Sequence, residues 1–134
     1  MIKITIHYAG FHAKYRKDVR EPVTDKNIRH LRIVISDPND DNEYLTVSVD
    51  TYKSKLQDSS CIIHKGEHPF IKDTSFVNYK YAKVVSFQVM FNGIKKGVFI
   101  PKEEVSEQLL QRIQNGAKLT KFLDNAYKIW FDLF

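Results

Sequence analysis

The chain has 134 residues, of which 43% are hydrophobic, 13% aromatic and 28% charged, enough to fill one core and too ordered in composition for a disordered chain. Its single cysteine, Cys61, excludes an internal disulfide, and no run approaches the ~18 apolar residues that span a bilayer. A net charge of +5 favours phosphate polymers as partners, while the length, the lone thiol and the lack of a spanning run lead us to expect one domain over residues 1–134, in a reducing cytoplasm, with no membrane partner.

In chain order, Ile2, Ile4 and Ile6 alternate with Lys3, Thr5 and His7, which is the pattern of a half-buried strand and not of a leader peptide. Residues 10–29 hold Lys14, Arg16, Lys17, Arg20, Lys26 and Arg29 around Pro22 without apolar periodicity, and predict a long basic loop. Residues 31–36 read as a central strand, 37–42 as a turn rich in Asp, Asn and Pro, and 45–49 as the returning strand of a hairpin. A short strand is expected over Cys61–His64, ended by Gly66 and Pro69, and a long one over Phe76–Phe87. Asn92-Gly93 between two apolar runs predicts a type I′ hairpin joining 89–91 to 94–100.

Helical periodicity begins after Pro101. Val105, Leu109 and Ile113 recur four apart with Leu110 beside them, Glu103 and Glu104 suit the N-terminal end, and Gly116 suits a stop. Thr120 is placed to cap a second helix with a stripe of Phe122, Leu123, Ala126, Ile129, Trp130 and Leu133, which is also the expected dimer contact. The pattern is α+β and mainly β: a body over 1–100, favouring a small barrel, and two helices over 101–134.

Several constellations carry chemistry and each has a plainer reading. Asp37, Asn39 and Asp41 match the start of a calcium loop. Asn42 stands where that loop bends at glycine and Ser48 where it needs a bidentate Glu, so the segment reads as a hairpin turn. His64 and His68 are four apart, but Gly66 and Pro69 break the helix that zinc would need, and no metal or other cofactor is expected. Cys61 lies in an apolar strand and reads as core. The run from His64 to Ser75 gathers two histidines, two lysines and two hydroxyl residues. His68 is its candidate acid or base, against the alternative of a polar connection plugged by Phe70 and Ile71. Tyr79 and Tyr81 flank Lys80 with Lys83 beyond, an arrangement that stacks bases or, as aromatics in strands more often do, fills a core.

Two segments together resemble a family. Arg29-His30-Leu31-Arg32-Ile33-Val34-Ile35-Ser36, a turn, and Leu45-Thr46-Val47-Ser48-Val49-Asp50-Thr51 resemble the core of PemK/MazF-type toxins, and the run Cys61–Ile71 is similar to small bacterial proteins grouped with them. The resemblance covers about residues 29–82. It implies an SH3-like small barrel, usually a homodimer, that cleaves single-stranded RNA without metal and is neutralised by a small acidic antitoxin. It also implies that Arg29 and Thr51 form the catalytic pair, with His68 added here as acid or base. A guanidinium offers fixed donors to a phosphorane, and attack by a 2′-OH restricts cleavage to RNA. Arg32, Lys53, Lys72, Ser75 and Tyr79 complete the expected RNA-contacting set. The chain departs from the toxins in its Met1-Ile2-Lys3 start and in His30, where they carry proline.

Overall fold

The structure is a computed structural model that describes residues 11–13, 31–97 and 99–134; the side chains of 11–13, 100 and 101 are not described. Its elements are β1 (Phe11–Ala13), β2 (Leu31–Val34), β3 (Glu43–Thr51), β4 (Ile62–Ile63), β5 (Ser75–Ser86), α1 (Phe87–Lys95), β6 (Phe99–Pro101), α2 (Glu107–Leu119) and a terminal 3-10 helix (Asn125–Leu133). The fold is α+β. The strands form one antiparallel sheet in the order β4-β5-β3-β2-β1-β6.

Alternation along β2 and β3 decides what each face of the sheet meets. Leu31, Ile33, Leu45, Val47 and Val49 point to one side, joined by Val77 and Tyr79 from β5. There they pack under Leu109, Leu110, Ile113 and Ala117 of α2 and under Leu123 and Trp130. Side chains as fully enclosed as Ile33 or Leu45 each contribute about 1.5–3 kcal/mol by leaving water, so this layer supplies most of the folding drive. The opposite face carries a smaller apolar cluster of Val34, Tyr44 and Met90, with Val85, Phe87 and Phe99 against it.

Four expectations are corrected. The sheet is open among the described residues: β4 and β6 are its edges, no ladder joins them, and the barrel is not closed. Phe11–Ala13, expected within the basic loop, forms β1 between β2 and β6; three residues are too few to show a strand period. The hairpin expected at Asn92-Gly93 is helix α1. Ser86 caps it by accepting from the Val89 N–H at 3.1 Å, and Gly93 lies where a Cβ would stand 2.1 Å from the Phe99 ring. Glycine there permits a close helix–strand approach and makes no turn.

The fourth correction concerns the C-terminal region. Gly116 does not stop α2 but lies inside it, with Tyr79 Oη 2.3 Å from where a Cβ would be. Thr120 closes α2 instead of opening the next helix; its hydroxyl donates to Asp58 Oδ2 at 2.5 Å and accepts from the Phe122 N–H. The second helix is a 3-10 helix that starts later, with Asp124 accepting from the Ala126 N–H. The turn at 37–42 forms as expected, with Asn39 Oδ1 accepting from the Asp41 and Glu43 amides and Asn42 in the left-handed region at φ 57. The expected strand at residues 2–6 and the remainder of the basic loop lie outside the described residues.

Candidate nucleic-acid interface

The register of β3 against β5 assembles one corner of the sheet. Thr51 and Ser75 are Cα partners on its last rung, and the ladder is prolonged by the Tyr52 N–H donating to the Thr74 carbonyl at 2.9 Å. Tyr52 is anchored there by an edge contact with Phe76, ring centroids 6.1 Å apart. Beyond it, Gln57 Oε1 accepts from the amides of Lys53 at 2.6 Å and Ser54 at 3.0 Å and so folds 53–57 into a tight turn. Thr51, Lys53 and Lys72 are all exposed, as is Lys55, a cation the sequence reading passed over although Lys53-Ser54-Lys55 sits in a polar turn. Ser75 belongs to this corner but is buried, and its hydroxyl donates to the Asp73 carbonyl at 2.8 Å.

His68 does not join them. Its side chain is 2% exposed. Nδ1 accepts from the Phe70 N–H at 3.0 Å, so Nε2 carries the hydrogen that faces the Glu103 carbonyl at 2.6 Å. Both nitrogens are therefore occupied in tying the 64–74 connection to the segment that leads into α2. The polar-connection reading describes this histidine, and a role as acid or base is not supported by its contacts. Glu67 reinforces the same tie. It accepts from the His64 N–H at 2.7 Å and pairs with the Arg112 guanidinium, which also reaches the Ile62 carbonyl. Burial opposes its ionisation, but the bonds from Arg112 and the His64 amide outweigh that and hold the Glu67 carboxyl below its ordinary value.

Tyr79 is the core aromatic of the two alternatives. It is fully buried, and its hydroxyl donates to the Ile113 carbonyl at 2.6 Å. Burial first, and then the neighbouring Cys61 and Asp58, push its pKa up, so it stays neutral and offers no face to a base. Cys61 is likewise core. Burial outweighs the Arg112 charge and pushes its thiol up to about 11, the opposite of an activated nucleophile.

Arg32 projects from the other face of the sheet and holds an irregularity there. Between Thr46 and Ser48 the β5 partner jumps from Lys83 to Asn78, leaving β5 bulged. The Arg32 guanidinium donates to Thr46 Oγ1 at 2.9 Å and twice to the Tyr81 carbonyl at 3.3 Å, while Thr46 donates to the Lys83 carbonyl. These bonds satisfy backbone groups that the bulge removes from the ladder. Burial lowers the Arg32 pKa, partly offset by Asp50 and Tyr127. Ser48 stands between Arg32 and Asn78 across three strands, with its hydroxyl buried and unpartnered among the described residues; Asn78 donates to Asp50 at 2.8 Å.

The eight expected residues thus divide. Thr51, Lys53, Lys72 and Ser75 meet at one corner, whereas Arg32 lies on the opposite face, His68 and Tyr79 are enclosed, and Arg29 is outside the described residues. Among the described residues no three His, Cys, Asp or Glu side chains gather as a metal site. Comparison with protein-family models, with curated proteins and with solved structures finds no match to this chain.

Proposed function

We propose that this chain binds single-stranded RNA at the β3–β5 corner, with Lys53 and Lys72 holding phosphates and Thr51 reaching the ribose. The observation that carries the reading is the exposure of these three side chains around one sheet end on a chain of net charge +5. A flexible polyanion needs no deep pocket, only cations spaced along an open edge and a donor for the 2′-OH.

Cleavage is the stronger form of this proposal, and it rests on the resemblance to PemK/MazF-type toxins. In that form Arg29 stabilises the phosphorane, Thr51 positions the attacking 2′-OH, the active species is a homodimer, and a small acidic antitoxin neutralises it. His68 is left out because its ring nitrogens are both engaged. The weaker form, an RNA-binding domain without catalysis, is favoured by that same enclosure.

The test uses a fluorescent single-stranded RNA. Salt-dependent binding that Lys53→Ala and Lys72→Ala each weaken, with the slope of log affinity against log salt falling by about 0.7 per lysine, supports the interface. Cleavage in EDTA that Arg29→Ala and Thr51→Ala abolish supports the toxin. Binding without cleavage leaves the domain non-catalytic, and no binding at low salt overturns both forms.

A further inference from the structure

The hydrogen bond between Thr120 and Asp58 draws two chain segments together, and apolar side chains stand in water beside it. Leu56, two residues from Asp58, is 92% exposed. Leu119, next to Thr120, is 75% exposed, and Phe122, two residues on, is 50% exposed. Two residues of extended chain reach at most about 7 Å, so all three branch from the surroundings of one bond.

Leu56 is not exposed through looseness. Its amide donates to Ser54 Oγ at 3.1 Å, the Gln57 amide to the Ser54 carbonyl at 3.0 Å, and Gln57 Oε1 holds the amides of Lys53 and Ser54. The turn is built so that the leucine is its tip. Lys53 and Lys55 flank that tip, and Lys118 and Lys121 flank Leu119 and Phe122, all four exposed. In the segments 52–58 and 115–124 the carboxylates are Asp58, buried and bonded to Thr120, and Asp124, which caps the terminal 3-10 helix.

From this arrangement we propose that the Leu56–Leu119–Phe122 face docks on an anionic lipid bilayer, the three apolar side chains entering the headgroup boundary and the four lysines meeting lipid phosphates and carboxylates. The shape favours a bilayer over a protein: a leucine this exposed is a projection with no walls around it, and a fluid surface accepts a projection that a peptide could not grip. A second copy of this chain on the same patch would set lysines against lysines. RNA accounts for the cations but not for the apolar tips. The sequence-based expectation of no membrane partner came from the absence of a spanning run, and that criterion does not reach peripheral attachment.

Co-sedimentation of the full chain with vesicles of phosphatidylcholine alone, or with 30% phosphatidylserine, tests this. We expect binding to the anionic vesicles only, a loss of at least about tenfold in the charge-neutral double variant Leu56→Ser/Leu119→Ser, and about fivefold per lysine for Lys55→Ala or Lys121→Ala at low salt. Circular dichroism checks that the variants, all at exposed positions, keep the wild-type fold. Equal binding to both vesicle types, or unchanged binding by the double variant, overturns the proposal. So does a wild-type dimer that the double variant converts to monomer, which assigns the face to a second copy, or capture of an acidic apolar peptide in place of vesicles. RNA binding by the double variant is expected at wild-type strength, so failure of the lipid proposal is separable from failure of the RNA reading.

Discussion

Replacing Gly116 by alanine probes the join between α2 and the sheet. In an ordinary helix interior the change stabilises by about 0.8–1.0 kcal/mol. At Gly116 the added Cβ would lie 2.3 Å from Tyr79 Oη, 3.0 Å from Cys61 Cβ and 3.1 Å from the Ser60 carbonyl oxygen. The tyrosine has nowhere to retreat, since it is fully buried and its hydroxyl is bonded to the Ile113 carbonyl. Overpacking costs about 1–3 kcal/mol and a displaced buried hydroxyl about 1–3 more. Against the helical gain, the net loss centres near 3 kcal/mol, or about 12 °C in Tm for a domain of this size. Urea and thermal unfolding followed by circular dichroism measure it. Tyr79→Phe removes the obstructing oxygen, so the double variant should recover at least about 1 kcal/mol relative to the sum of the single changes. A Gly116→Ala protein more stable than wild type, or strictly additive effects, would refute the close approach.

Other perturbations have equally definite outcomes. His68→Ala leaves the Phe70 amide and Glu103 carbonyl without their partner and should cost about 2–4 kcal/mol in urea unfolding; a loss below 0.5 would refute the pinning role, about 0.5 being ordinary for surface changes. The Cys61 thiol is raised from 9.0 to about 11, so its stabilising contribution is whole below pH 9 and disappears as pH climbs through about 11. Cys61→Ala should flatten that alkaline decline, and in the wild type a maleimide at pH 8 should label the thiol only after denaturant is added. Glu67 has a lowered pKa, so its contribution is present above its ordinary 4.5 and is lost as pH falls through the folded value. Because the pair with Arg112 is partly solvated, Arg112→Ala should cost no more than about 1 kcal/mol, and salt should shrink the difference. Gly93→Val places a side chain into the Phe99 ring and should loosen α1 and β6 first, read as faster hydrogen exchange there than in β3.

Much of the sheet was legible because its determinants are local. An apolar run over 31–35 and alternation over 45–49, with a turn of Asp, Asn and Pro between them, specify two paired strands, and α2 announces itself by apolar residues four apart. Local patterning therefore suffices for the α+β class, the inward face of β3 and the exposure of cations such as Lys53 and Lys72. Tertiary structure decided the remainder, because those positions answer to partners far along the chain. Asn92-Gly93 has the local chemistry of a hairpin, yet Met90, two residues before it, is buried against Val34 and Tyr44 more than 40 residues back, and that packing, with the Ser86 cap, holds the segment as helix. Gly116 has the look of a helix stop until Tyr79, 37 residues away, needs the room of its missing side chain. His68 carries the same imidazole whether it titrates in a cleft or bonds the Glu103 carbonyl, and only packing distinguishes the two. Periodicity reports which face a residue occupies and is silent about what lies across from it, and contact over distances of 35 residues or more is what separated a site from a strut here.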